Sequence, residues 1–304
     1  MTEDTDIAVV GDINMDIIPK PIEKDVPIKK DGQVFVEDVV YRRGGQGANF
    51  AVQLAGLGGD VAFHGKLGDD RHGEFLHDHL ADQGVVPRVN LDPGVKTGTT
   101  LAVTWQDGQR HYISHTENNA QLSLEDIDME AVKDAEHVAR RGVWFSDPML
   151  DGGNEELLRT AKEHGAETSI DLHWDPHWNR DSGKADRRRR QFYDALEHAD
   201  LLMGNEEEVA QLAKKDTLAA AVDFLRKKGA DTIVVHQGER GSTIFDEDGH
   251  HKIPTDHVDN PSNPTGTGDA YDAGFLHARM QGSDLEEAGK KGTEVAVKHL
   301  QDRL

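Results

Sequence analysis

The stretch NPTGTGDAYDAGF, residues 263–275, sets two glycines and two threonines ahead of one aspartate. Beyond Asp269 the apolar residues Ala270, Tyr271, Ala273, Phe275, Leu276 and Met280 recur at roughly helical spacing. Asp269 itself suits a helix start. The turn before it presents backbone N–H groups at the positive end of a helix dipole, which is an anion site. Glycine lets that backbone approach a ligand closely. A carboxylate beside an anion site has a use in phosphoryl transfer, where amides hold phosphate oxygens and an acid accepts the proton of the attacking hydroxyl. The plainer reading is a tight loop followed by a helix that Asp269 caps.

Outward from this turn, composition limits the alternatives. A length of 304 residues suits one large α/β domain or two small ones. Acids number 57 against 34 bases, a formal charge of −23, and they are spread along the whole chain. That pattern suits a halophilic surface, where salt screens self-repulsion. Nucleic acid is excluded as a partner, because its binding needs a basic face. With no cysteine there is no disulfide, thiolate nucleophile or thiolate metal site. No leader pattern and no apolar run near 18 residues is present, so the expectation is a cytoplasmic protein with no membrane partner.

Strand-like and helix-like segments alternate. Strands are expected at IAVVGD (7–12), DVAFHGKLGDD (60–70), GVWFSD (142–147), ETSIDL (167–172), DLLMGN (200–205) and DTIVVHQG (231–238), and a hairpin at STIFDEDGHHKIP (242–254). Helices are expected at 48–58, 73–84, 154–164, 186–198, 206–213, 217–228, 269–281 and 285–301. This rhythm means a mostly parallel sheet covered on both faces. The β-rich pieces at about 13–43, including QVFVEDVVY (33–41), and at about 97–115 break it. They read as a small second sheet acting as a lid on a single domain, 1–304. The four arginines in DRRRRQFYDALEHAD read as a solvated helix face, or else as a partner-binding patch.

Four more motifs carry polar chemistry. In GDINMD (11–16), Asn14 and Asp16 share a face of extended chain and suit vicinal hydroxyls; a polar strand-end turn explains them as well. In RRGGQGANFAV (42–52), three glycines precede an apolar helix with Asn49 in its first turns, and a flexible loop is the equal alternative. In GNEEEV (204–209), Asn205 and Glu208 suit Mg²⁺, which keeps its waters and needs only one or two carboxylates, while acids at a helix start also suit the dipole. In VVHQGERGSTIF (234–245), a glycine-bearing turn between strands suits a nucleotide or is simply a turn. The 17 histidines are not read as a metal site: HExxH is absent, and Pro176 stands between His173 and His177. GxxxxGK[ST] is also absent, which excludes a P-loop enzyme on that signature.

In this order the motifs resemble the ribokinase-like (PfkB) carbohydrate kinases over nearly the whole chain. GGQGANFAVQLAGLGGDVAFHGKLGDDRHGE and NPTGTGDAYDAGF stand where that family has its two signatures. The resemblance implies a three-layer α/β/α sandwich with a mostly parallel central sheet and a small β-sheet lid, often shared across a homodimer. It implies Asp269 as catalytic base, with Gly266, Thr267 and Gly268 as the anion hole. Asn14, Asp16, Gly44, Gly45, Gln46 and Asn49 would hold a sugar. Asn205 and Glu208 would serve Mg²⁺ and phosphate, and Gln237, Gly238, Gly241 and Ser242 would line ATP. Gln46 departs from a common lysine, and Thr293 takes the place of a late asparagine near adenine. Asn263 stands where ribokinases often carry an aspartate near a monovalent cation, which leaves K⁺ an open expectation. The acceptor is expected to be ribose- or fructose-like. A nucleoside stacked on Phe35 or Tyr112 is the second reading, and a non-catalytic sugar or nucleotide sensor the third.

Overall fold

The computed structural model describes residues 5–180, 182–259, 261 and 265–301. Thirteen strands run in chain order as β1 (Ile7–Val10), β2 (Asn14–Pro19), β3 (Val39–Gly44), β4 (Val61–Gly68), β5 (Val85–Asp92), β6 (Thr99–Thr104), β7 (Arg110–His115), β8 (His137–Arg140), β9 (Glu167–Asp171), β10 (Leu201–Asn205), β11 (Thr232–His236), β12 (Ser242–Asp246) and β13 (Gly249–Ile253). Nine of them form one sheet in the order β13-β12-β11-β10-β9-β8-β1-β4-β5, and only β12 and β13 pair antiparallel. The remaining four form a small sheet, β3-β2-β6-β7, from the two β-rich segments that break the sequence rhythm.

The period of two along each strand sorts the core into layers. Ile7 and Val9 face a cluster with the helix Gln46–Gly56 and with Ala273 and Leu276. Ala8 and Val10 face the other way, onto Val132, Leu157 and Ala161. The same alternation holds farther along the sheet. Met203 and Val234 meet Tyr271 and Phe275, whereas Leu202, Ile233 and Val235 meet Phe192, Val209 and Leu225. Helices therefore cover both faces of a mostly parallel sheet, which is the α/β/α sandwich expected from the alternation.

Several local expectations are corrected. The strand expected at GVWFSD lies earlier, at His137–Arg140, and Val143–Phe145 form one turn of 3₁₀ helix. The strand carries a histidine and an arginine, both buried, so hydropathy hides it. β5 was not anticipated because it contains Pro87; it lies at the sheet edge, where a missing N–H is tolerated. In QVFVEDVVY pairing begins only at Val39, and Phe35 is 85% exposed, with β-propensity but no packed surface to realise it. Arg188 and Arg189 are not on a solvated face. Arg188 reaches Asp147, Asp175 and the Trp144 carbonyl, and Arg189 lies over the Trp178 ring.

Candidate active site

The helix Thr267–Met280 starts one residue after Gly266, whose φ of 81° lies in the left-handed region that favours glycine. Asp269 therefore does not cap the helix; it stands in the first turn, and no side chain caps this end. A helix start leaves its first amides without intrahelical acceptors, so Gly268 and Asp269 contribute to a positive pole. The Asp269 side chain is buried, the residue 6% exposed, and its Oδ1 makes no hydrogen bond to a described residue.

Parallel strands end beside this turn, and their last residues supply its charge. Asp171 closes β9, and His173 follows with a left-handed φ of 45°. His173 is ion-paired to Asp171, and its Nε2 lies 3.6 Å from Asp269 Oδ1. Arg141, just past β8, is wholly buried 3.8 Å above the Phe50 ring. It pairs with Asp272 and lies 3.6 Å from Asp171. His236 closes β11, and its Nε2 meets Asp272 Oδ1 at 2.9 Å. Three carboxylates thus interleave with one guanidinium and two imidazoles.

Burial sets the direction of each titration until a partner offsets it. Burial raises Asp269 above the ordinary aspartate range, and His173 only partly offsets this. Burial likewise works against the Asp171 charge, but His173 and Arg141 prevail and hold it down at about 2. Burial opposes a charge on His173 too; Asp171 and Asp269 outweigh it and keep the imidazole protonated well above its usual range. Ligand atoms of Asp171, His173 and Asp269 lie within 4.8 Å of one another, close enough for a metal ion. With no ion among them, the same groups form an ion-paired chain in which the His173 imidazole lies between the two carboxylates.

A cavity of about 520 Å³ opens beside the glycine turn, within the range of small-ligand sites. Thr267, Gly268, Asp171 and His173 line its charged end, and Val258, Ala296, Val297 and Leu300 its apolar end. Of the expected nucleotide residues, Gly238, Gly241 and Asn205 line it. Gln237 and Ser242 do not: Gln237 bonds Glu206 and Thr243, and the Ser242 hydroxyl meets that of Tyr271 at 2.7 Å. Thr293 lines the cavity while donating to its own helix at Gly289. Asn205 and Glu208 cap the helix Glu206–Ala213 reciprocally. Glu208 also lines the cavity, and burial raises its carboxyl. A buried carboxylate on the wall of a ligand-sized cavity suits Mg²⁺. Asn263 lies outside the described residues, and the K⁺ expectation with it.

The expected acceptor residues gather at the base of the small sheet. Asn14 Nδ2 donates to Asp16 Oδ1 at 2.7 Å and to Thr100 Oγ1 at 3.3 Å, so the two residues do share a face. A Cβ on Gly44 would run into the Asp16 carboxylate. Gly45, at φ 93°, precedes the helix in which Gln46 Oε1 is buried without a hydrogen-bond partner among the described residues. Asn49 Oδ1 accepts from Arg43 Nε at 3.1 Å. Sequence reading missed Asp12, Asn118 and Asn119, which fix the chain around Asn14. Asp12 accepts from Gly47 N, Asn119 accepts from Ile13 N, and Asn118 donates to the Ile13 carbonyl. No periodicity marks them. His173 was within reach, since ligands bind beyond the carboxyl ends of parallel strands.

Known proteins resemble the chain in sequence and in fold. Over 96% of the chain and 86% of the relative, 27% of residues are identical to 5-dehydro-2-deoxygluconokinase of Clostridium perfringens. Over 91% and 86%, 28% are identical to the ATP-dependent ribose-1-phosphate kinase of Halopiger xanaduensis. Ribokinase of Arabidopsis thaliana, solved with ribose and ATP, superposes with a TM-score of 0.79 and 25% identity over 98% of this chain and 93% of that one. Residues 4–303 match the family model described as pfkB family carbohydrate kinase, and the chain belongs to that family.

Proposed function

We propose that the chain moves the γ-phosphoryl group of ATP to a hydroxyl of a small sugar, with Asp269 as general base. The observation that carries this reading is a buried carboxyl with an unbonded oxygen in the first turn of a helix, beside a ligand-sized cavity. An ordinary aspartate is a weak base for an alcohol. Burial strengthens Asp269, and a loose transition state lets the proton move late. The amides from Gly266 to Gly268 stabilise charge on the transferred group. Asn14, Asp16, Gly44, Gly45, Gln46 and Asn49 orient the acceptor.

The cavity wall includes no lysine or arginine among the described residues. The triphosphate therefore relies on the amides and on His173 and His236. Mg²⁺ at Glu208 and Asn205 would supply the remaining positive charge. The small sheet acts as a lid that excludes water, and its exposed apolar side chains pair two copies into a homodimer. Among the described residues no helix is long and apolar enough to cross a membrane, in keeping with a cytoplasmic enzyme.

The test is Asp269→Asn, assayed in molar KCl because a charge of −23 repels itself in dilute buffer. Turnover should fall by at least ~10²-fold, with ATP binding by calorimetry retained. Near-normal turnover would sink the mechanism.

A further inference from the structure

The proposed chemistry leaves Arg43 unused. It stands on β3, one residue before Gly44. Its Nε donates to Asn49, and Nη1 faces His79 Nε2 at 3.3 Å. Burial and the Arg43 charge lower the His79 pKa. No described carboxylate comes within ion-pair distance of Arg43; Asp16 and Asp269 act on it only from farther away. Burial lowers its pKa to about 10, and it stays cationic at neutral pH.

This is an odd place for a partly desolvated, unpaired cation in a chain with 57 acids. Such a group costs free energy until a counter-charge arrives. A guanidinium has five N–H donors in a fork that matches carboxylate or phosphate, and the protein engages few of them here. Two more arginines of the small sheet make no ion pair to described residues. Arg42 lies opposite Asp16 in the β2–β3 register. Arg110, on the far edge strand of the small sheet, reaches the Thr265 hydroxyl beside the glycine turn. Asp16 and Asn14 lie between these edges and are matched to hydroxyls.

We propose that the acceptor carries an anionic group of its own, a carboxylate or a phosphate, which Arg43 binds while a hydroxyl of the same molecule faces Asp269. This rests on the kinase reading above and narrows it to anionic sugars. The anion would be held by charge-assisted hydrogen bonds, with Arg110 closing the lid from the other side.

The experiment compares neutral acceptors (ribose, fructose, adenosine) with sugar acids (aldonic and ketoaldonic) and with pentose and hexose monophosphates, all with ATP and Mg²⁺ in molar KCl. One anionic arm should exceed every neutral acceptor in kcat/KM by roughly 10- to 100-fold, the scale of a hydrogen bond to a charged group. The reacting arm tells carboxylate from phosphate. Arg43→Gln should raise KM for that acceptor by a similar factor and cost neutral acceptors clearly less, their share being the lost Arg43–Asn49 bond; Arg43→Lys should recover part of the anionic loss. If Arg43→Gln fails to fold, the wild-type ratio and Arg43→Lys decide. A preference for a neutral sugar, or an equal effect of Arg43→Gln on both classes, overturns the proposal. If nothing turns over, calorimetry with the same anions separates the two readings. Binding lost in Arg43→Gln supports the anion site and removes the kinase reading, and no binding removes both.

Discussion

His64 sits on β4 with its ring buried and neither nitrogen hydrogen-bonded to a described residue. Burial pushes its pKa down to about 4, and nearby Asp128 only partly opposes this. The unfolded chain takes up this proton near pH 6.5, and the folded chain resists until about 4. The contribution of His64 is therefore complete above about pH 6.5, falls as pH drops toward 4 and levels off below. Two and a half units correspond to ~3 kcal/mol. Urea unfolding at pH 7.5 and 4.5 should show that His64→Leu removes most of this acid sensitivity; an unchanged difference between the two pH values would refute the assignment. At this scale Asp269 and Gly266 were legible, because a glycine turn followed by an apolar helix is a local pattern. The protonation of His173 was not, because Asp171 and Asp269 meet it only in the fold.

Arg141 shows the same at the scale of elements. It ties the end of β8 to Asp171 at the end of β9 and to Asp272 in the helix Thr267–Met280. Removing one partner of a buried ion pair leaves uncompensated charge, which costs roughly 3–5 kcal/mol. Arg141→Met should destabilise the protein by that order in denaturant titrations. It should also weaken turnover, because Asp272 holds His236 at the cavity wall. A variant as stable as the parent would show that the pair is dispensable. Most elements could be drawn from period and capping. Among the exceptions were β8, whose buried arginine mimics a loop, β5, whose proline argues against a strand until its edge position is known, and the short helices Glu117–Ala120 and Met129–Asp134.

For the whole molecule, the small sheet leaves Tyr41 and Ile113 exposed on one face, in line across it with Ile17 and Leu101, and an apolar row of this kind marks a contact surface. Sedimentation in molar KCl should give a dimer, and Tyr41→Ser with Ile113→Asp should shift it to monomer with the fold retained; a monomeric parent protein would exclude the paired lid. The sequence alone determined the alternation of strands and helices, the two glycine motifs and the aspartate behind the second, because each is written in neighbouring residues through backbone freedom and side-chain period. Only the tertiary structure decided which charges are buried. Arg188 and Arg189 read as part of a solvated face in a chain of net charge −23, yet they lie in the interior, as do Arg140 and Arg141. The partners and desolvation that decide their state come from segments far apart in the chain, and only packing brings those segments together.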